Sequence, residues 1–405
     1  MTKYVFTSGA PYRAAEHHDV AETYDFGGDG ALRLADGADA DPGAPGVQHV
    51  EHETIFEHRV ADLAVEEDSP IATLREVEHV GNVPKTGATG DGVHVALVDS
   101  GVDTSHPAFE GVTVNQVDVT GTGTGDAVGH GTASAGQIAR IAPDVELTMI
   151  KVFPDKGRTT SKYVLRAYQW LLNNASDIDA VNMSWGAGKD VRSINRLHTR
   201  LVSQGVRDTT AAGNTGAKGG SPATADRAFA VGACTDDATM AEFSSYNPRE
   251  NPEVVAVGKY ARLARADNSQ FGYPQTPDWT VASGTSFSAP AVAGMVARYL
   301  ERHPDTDPKR VREDFVKHAR NLEGTERDRH GIADYAATVQ GSSDSKNGDS
   351  GGDKNGDGQT GSGGKSSGDS GQSGSGDGRT GTQWDRTVRF ENASGELRLD
   401  EQKQN

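Results

Sequence analysis

Five apolar, β-branched runs recur through the middle of the chain: VHVALV (93–98), VELTMIKVF (145–153), DAVNMSW (179–185), VRDTTAAG (206–213) and AFAVGA (228–233). Between several of them lie stretches with apolar residues at helical spacing, notably SKYVLRAYQWLLNNA (161–175) and SINRLHTRLVSQ (193–204). Strands without polar alternation are buried on both sides, so this order predicts a mostly parallel sheet covered by helices on both faces. In such sheets functional groups gather at the carboxyl ends of the strands. Another helix is predicted after SGTSFSAP (283–290), where Val292, Ala293, Val296, Ala297 and Leu300 define a buried face. The hydroxyl residues crowded before that helix have two readings. They cap its first N–H groups, or one of them is a nucleophile in the positive field of a helix N-terminus.

The pattern changes on either side of this α/β region, which spans residues 82–340. Residues 1–80 are acidic and mixed, with a loop-like patch at 36–46, alternating stretches VQHVEHETI and HRVADLAVEE, and a helical candidate SPIATLREV. That order predicts a small α+β unit. Residues 341–383 are dominated by Gly, Ser and Asp and hold too few apolar groups to repay ordering entropy, which predicts a disordered linker. Beyond it, in 384–405, TVRFENASGELRLDE alternates on both sides of Asn-Ala-Ser-Gly and predicts a terminal hairpin. Inside the linker, Asp353, Asn355, Asp357 and Gly358 begin like a calcium loop, but Gly364 stands where the bidentate Glu belongs, which favours the linker reading.

The 405 residues allow a large core and one further small domain. A formal net charge of -18 argues against nucleic acid as a partner, since phosphates would repel the chain. Cys234 is the only cysteine, so no intramolecular disulfide forms, and its apolar strand marks it as core. The N-terminus lacks a basic leader followed by an apolar stretch, and no apolar run approaches the ~18 residues of a membrane span. The expectation is a soluble chain, cytoplasmic by default, with export by another route left open.

Four polar residues stand where chemistry is expected. Asp99 follows VHVALV directly, His130 lies between glycines in GHGTASAG, Asn214 follows VRDTTAAG, and Ser286 lies in SGTSFSAP. Each alone has an ordinary reading as cap, core histidine or turn residue. Together they supply the parts of nucleophilic catalysis: a Ser, a base to take its proton, an acid to fix the base, and a side-chain N–H for the oxyanion.

The segments ALVDSGVDTSHP, GHGTASAG, AVNMSWG, AAGNTG and SGTSFSAP, in this order, resemble the motifs of the subtilisin-like serine proteases, and GIADYAATV (331–339) resembles that family's closing segment. The order Asp, His, Ser is the one that family uses. The resemblance implies a subtilisin-like α/β fold and a serine endopeptidase acting on peptides or proteins through an acyl-enzyme. It implies that Asp99 orients the base, His130 is general base and acid, Ser286 attacks, and Asn214 donates to the oxyanion. It also implies that Ser184, Trp185 and Gly186 pair with substrate backbone, and that Ala211, Ala212 and Gly213 wall the pocket for the side chain before the cut. No cofactor is required for this chemistry; structural calcium is implied, without a liganding set.

Ala133 stands where the family often has a second His, and Phe287 where it usually has Met. Neither change removes one of the four groups. Many relatives carry an N-terminal prosegment that is cut off, and residues 1–80 are read either so, with a cut near 80–90, or as a permanent accessory layer. Two further readings stay open: maturation of one particular partner docked through the tail, and a binding protein that keeps the fold with little catalysis.

Overall fold

The computed structural model describes residues 2–9, 11–58, 60–61, 63–66, 69–154, 157–246, 252–322, 331–348, 384–390 and 397–403. The calcium-loop-like stretch 353–364 lies outside them. The N-terminal region holds β1 (Lys3–Ser8), α1 (Tyr12–Ala15), β2 (Val20–Asp25), β3 (Asp29–Leu34), β4 (Val47–His52), β5 (Ile55–His58) and α2 (Leu74–Val80). Then follow β6 (His94–Asp99), β7 (Thr113–Asp118), α3 (His130–Ile141), β8 (Glu146–Lys151), β9 (Arg158–Thr160), α4 (Ser161–Asn173), β10 (Ala180–Met183), β11 (Trp185–Gly186) and α5 (Arg192–Ser203). The remainder is β12 (Arg207–Ala211), β13 (Ala230–Cys234), β14 (Val254–Val257), β15 (Ala261–Ala264), β16 (Tyr273–Pro274), β17 (Trp279–Ala282), α6 (Thr285–Arg302), α7 (Pro308–His318), α8 (Tyr335–Gly348), β18 (Trp384–Phe390) and β19 (Leu397–Lys403).

The central sheet has the order β14-β13-β12-β10-β6-β8-β7-β18-β19. Every pair from β14 to β18 is parallel, and β18 and β19 pair antiparallel. The five apolar runs of the sequence are β6, β8, β10, β12 and β13. Strands β7 and β14 were not evident, because NQVD in the first reads as polar and the second is only four residues long. Helices α3 and α6 cover one face in a single apolar cluster with α2; α4 and α5 cover the other.

Helix α6 departs from the expected one-sided burial. From Thr285 to Leu300 every residue is buried, because the helix lies against the sheet and is packed along α3 and against α8. Even Arg298 is 4% exposed; its guanidinium donates to the carbonyls of Ile141, Pro84 and Thr86.

The N-terminal unit is an antiparallel sheet of order β2-β3-β1-β4. Alternation along β1 puts Tyr4 and Phe6 on the side of α4 and α5, where they join Tyr24, Phe26, Tyr168 and Leu197 in one cluster, while Val5 faces Leu32 and Leu34. Each buried ring contributes roughly 1.5–3 kcal/mol to that attachment. Polar contacts add direction: Glu22 pairs with Arg166, Asp29 with Arg196 and Arg200, and Glu51 accepts from the Ser193 backbone N–H and hydroxyl at the start of α5.

After β4 the chain leaves this unit and runs along the larger one. Strand β5 lies between β11 and β9, antiparallel to both. Past His58, which ends β5, the described residues of the stretch HRVADLAVEE, expected to alternate as a strand, make only an isolated bridge, Ala61 to Ser283. Helix α2 buries Val77 and Val80 in the main core, and Thr73 and Glu76 form its capping box.

At the other end, α8 continues through residues 341–348 of the expected linker. Ser342 explains the extension, since its hydroxyl meets Asp314 at 2.8 Å and the Thr338 carbonyl at 2.9 Å in a buried position. Cys234 is fully buried, and burial pushes its thiol well above the ordinary range.

Candidate active site

Asp99 ends β6, at the carboxyl edge of the sheet. Its carboxylate accepts the Ser100 backbone N–H at 2.8 Å and faces His130 Nδ1 at 2.8 and 3.0 Å, with both side chains fully buried. Burial alone would raise the Asp99 carboxyl, but the charge and hydrogen bond of His130, with a smaller contribution from His58, hold it below the usual carboxylate range. The contact leaves His130 Nε2 buried and without a hydrogen-bond partner.

His130 opens α3, and its glycine neighbours are there for space. A Cβ on Gly131 would lie 2.0 Å from the Gly101 carbonyl oxygen, and Gly129 has φ +92°. Asp126, absent from the sequence reading, fastens this turn. One oxygen accepts from Gly129 N and Ser100 Oγ, the other from Thr132 N and Oγ1. Burial raises the Asp126 carboxyl, and those donors oppose the shift.

Ser286 lies in the first turn of α6. Its Oγ donates to the Ser184 carbonyl at 2.8 Å, and Ser184 Oγ donates back to the Ser286 carbonyl at 2.8 Å. That carbonyl is available because Pro290, four residues on, has no N–H to give it. Ser184 is steadied in turn by Asn182 Nδ2 at 2.9 Å.

None of the serines in SGTSFSAP caps α6. Ser283 Oγ accepts from Tyr260 N, Ser288 Oγ donates to the Ala256 carbonyl, and the N-cap residue is Gly284. The cap comes from Asn214, whose Oδ1 accepts from Thr285 N and Oγ1, each at 2.9 Å. A backbone N–H can only donate, so this contact fixes the amide orientation and leaves Nδ2 as a buried donor without a partner. Gly213 N donates to Thr285 Oγ1, which draws the end of Ala211–Gly213 against the same turn.

The N-terminal region reaches this site through β5. Trp185 pairs with His58 and Gly186 with Glu57, and Ala61 N donates to the Ser283 carbonyl at 2.7 Å. Phe56 is fully buried, edge-on to Trp185 with centroids 5.5 Å apart. The His58 ring stacks on His130 at 3.9 Å and meets Phe153 at 3.9 Å. Its Nε2 approaches Asp99 Oδ1 to 3.3 Å, without hydrogen-bond alignment. Burial, reinforced by His130, pushes the His58 imidazole down to about 4.

His58, Asp99 and His130 are the one cluster among the described His, Cys, Asp and Glu residues close enough to share a metal. Two nitrogens and a single carboxylate do not suit calcium, which takes six to eight oxygens. Among the described residues no helix is long and apolar enough to cross a membrane.

An imidazole open at Nε2, a hydroxyl and a free amide N–H are the parts of nucleophilic catalysis; the ring of Phe287, next to Ser286, lies 5.6 Å from that of His130, while Ser286 Oγ is bonded to the Ser184 carbonyl and not to His130. Known proteins with similar chains include serine proteases. A subtilisin-like protease of Coccidioides posadasii is 31% identical over 62% of this chain and 64% of its own length. Serine protease AprX of Bacillus subtilis is 31% identical over 60% of this chain and 64% of its own. The chain thus spans just under two thirds of these relatives. Among solved structures, fervidolysin from Fervidobacterium pennivorans, a keratinolytic enzyme related to subtilisin, superposes with TM-score 0.66 at 19% identity, covering 84% of this chain and 61% of that one. A cold adapted subtilisin-like serine proteinase superposes with TM-score 0.53 at 25% identity, over 62% of this chain and 89% of that one. The subtilase family model matches residues 90–355, and the chain belongs to that family.

Proposed function

We propose that the protein is a serine endopeptidase that works through an acyl-enzyme and cuts its own N-terminal region. The observation that carries the reading is the buried His130, held at Nδ1 by Asp99 and open at Nε2, with the ring of Phe287, next to Ser286 in the first turn of α6, 5.6 Å away.

In this reading Ser286 Oγ turns away from the Ser184 carbonyl and attacks the scissile carbon, and His130 Nε2 takes its proton. Asp99 keeps the second proton on Nδ1 and stabilises the imidazolium. Asn214 Nδ2 donates to the oxyanion. His130 then protonates the leaving nitrogen, and a water repeats the sequence to release the acyl group. Ser184, Trp185 and Gly186 align the substrate strand, and Ala211, Ala212 and Gly213 form the opposite wall.

Self-processing is supported by the course of β5. It pairs with β11 up to His58, and the next fixed contact is Ala61 N on the Ser283 carbonyl. Arg59 and Val60 join those points in the sequence, so the bond between them is the first substrate. A cut near 80–90, the position expected from sequence alone, is less consistent with α2, whose apolar side is part of the main core. The test is the intact mass and N-terminal sequence of purified wild type beside Ser286→Ala. The expected result is a wild-type chain beginning at Val60 and a variant of full length. A wild type that stays whole and hydrolyses no peptide, or a variant that is cut equally well, overturns the reading.

A further inference from the structure

The slot that holds His58 is made of two rings. His130 lies nearly parallel to it, at 14° and 3.9 Å between centroids, and Phe153 closes the other side at 3.9 Å and 33°. Phe153 is fully buried, just beyond the end of β8, so this wall is part of the core. Only 8% of the His58 side chain is exposed. A gap one ring thick between two rings favours a planar side chain, because stacked and tilted rings gain contact that a branched aliphatic chain of similar volume does not.

The register ties this slot to a substrate position. His58 and Phe56 are two apart on one strand, so their side chains share a face, and Phe56 meets Trp185 while His58 meets the base. Under the proposed cut, His58 is the second residue before the scissile bond. We propose that Phe153 is a specificity-determining residue that makes this subsite select a planar ring over aliphatic side chains. The inference rests on the endopeptidase reading and on the cut after Arg59.

The test uses the full-length chain, incubated until its mass is constant, and quenched peptides built on Ile-Phe-Glu-X-Arg-Val-Ala with X as His, Phe, Leu or Ala. The expected wild-type kcat/KM for His and Phe exceeds that for Leu and Ala by about fivefold to tenfold, the size of an aromatic contact. In Phe153→Leu the ratio of His to Leu falls to about one to two, and in Phe153→Tyr, which restores the ring, it returns. Equal rates for all four peptides with wild type, or an unchanged ratio in Phe153→Leu, overturn the slot alone. If no peptide is cut by wild type, the endopeptidase reading fails and the slot fails with it.

Discussion

Ser184 and Ser286 exchange hydrogen bonds, the hydroxyl of each meeting the carbonyl oxygen of the other at 2.8 Å. The pair closes a gap that Pro290 opens in the helix, and it ties the residue between β10 and β11 to the first turn of α6. Removing the Ser184 hydroxyl leaves a buried carbonyl unpaired. In a Ser286→Ala background, which keeps that carbonyl, Ser184→Ala is expected to destabilise the fold by about 1–3 kcal/mol. Adding Pro290→Ala supplies the missing N–H, so the loss in the combined variant is expected to be smaller than the sum of the separate losses. Thermal unfolding of the four proteins measures this coupling, and strict additivity would contradict it.

Asn214 does two jobs with opposite ends of one amide. Asn214→Asp keeps an acceptor for Thr285 N while removing the free donor. The expected outcome is a fall in kcat of about 10²–10³ with KM within about threefold, a range obtained within this family. Steady-state hydrolysis of a short peptide decides it; a loss carried mainly by KM would assign Asn214 to binding instead.

His58 makes docking of β5 depend on pH. Its imidazole is pushed down to about 4 by burial and by His130, so between its unfolded value near 6.5 and 4 the unfolded chain binds a proton that the folded one does not. Stability is therefore lost as pH falls through that window, by up to about 3 kcal/mol. The Asp99 carboxyl is held low, so its own contribution is lost only below the ordinary Asp value. In a Ser286→Ala background, His58→Phe is expected to match the parent near pH 7 and to exceed it in melting temperature near pH 4.5. Parallel pH profiles for the two proteins would count against this account.

Glu51 holds the N-terminal unit at the first turn of α5. Burial works against its charge, but His49 and both Ser193 donors hold its carboxyl below the ordinary value. Glu51→Ala is expected to weaken that docking by about 1–2 kcal/mol. In Ser286→Ala protein, hydrogen exchange should then quicken in β1 to β4 and stay unchanged in β12 and β13. A uniform change across both would place the effect on global stability.

The strands and helices around the site were legible because burial on both sides leaves a continuous apolar signature, and Asp99, Ser286 and Asn214 follow or precede such runs. The hydroxyls of SGTSFSAP were readable as a helix start but not as to which group caps it, since Asn214 reaches Thr285 from a distant loop. His58 and Phe153 were missed because they act through contacts with residues far away in the chain, and Asp126 because a carboxylate bonding Gly129 and Thr132 nearby reads as an ordinary turn residue. HRVADLAVEE alternates like a strand, yet His58 pairs with Trp185 and Ala61 N donates to the Ser283 carbonyl. The close approach at Gly131 was the exception, as glycines on both sides of a histidine do signal crowding.

The three-stranded arrangement β11-β5-β9 has a consequence for reaction order. While β5 belongs to the same chain, its concentration at the cleft is fixed by tethering and is indifferent to dilution. After a break between His58 and Ala61 the same strand becomes a separate molecule, and its return is second order. An uncut population would then be latent at any protein concentration, whereas a cut one would wake on dilution or when the fragment is destroyed.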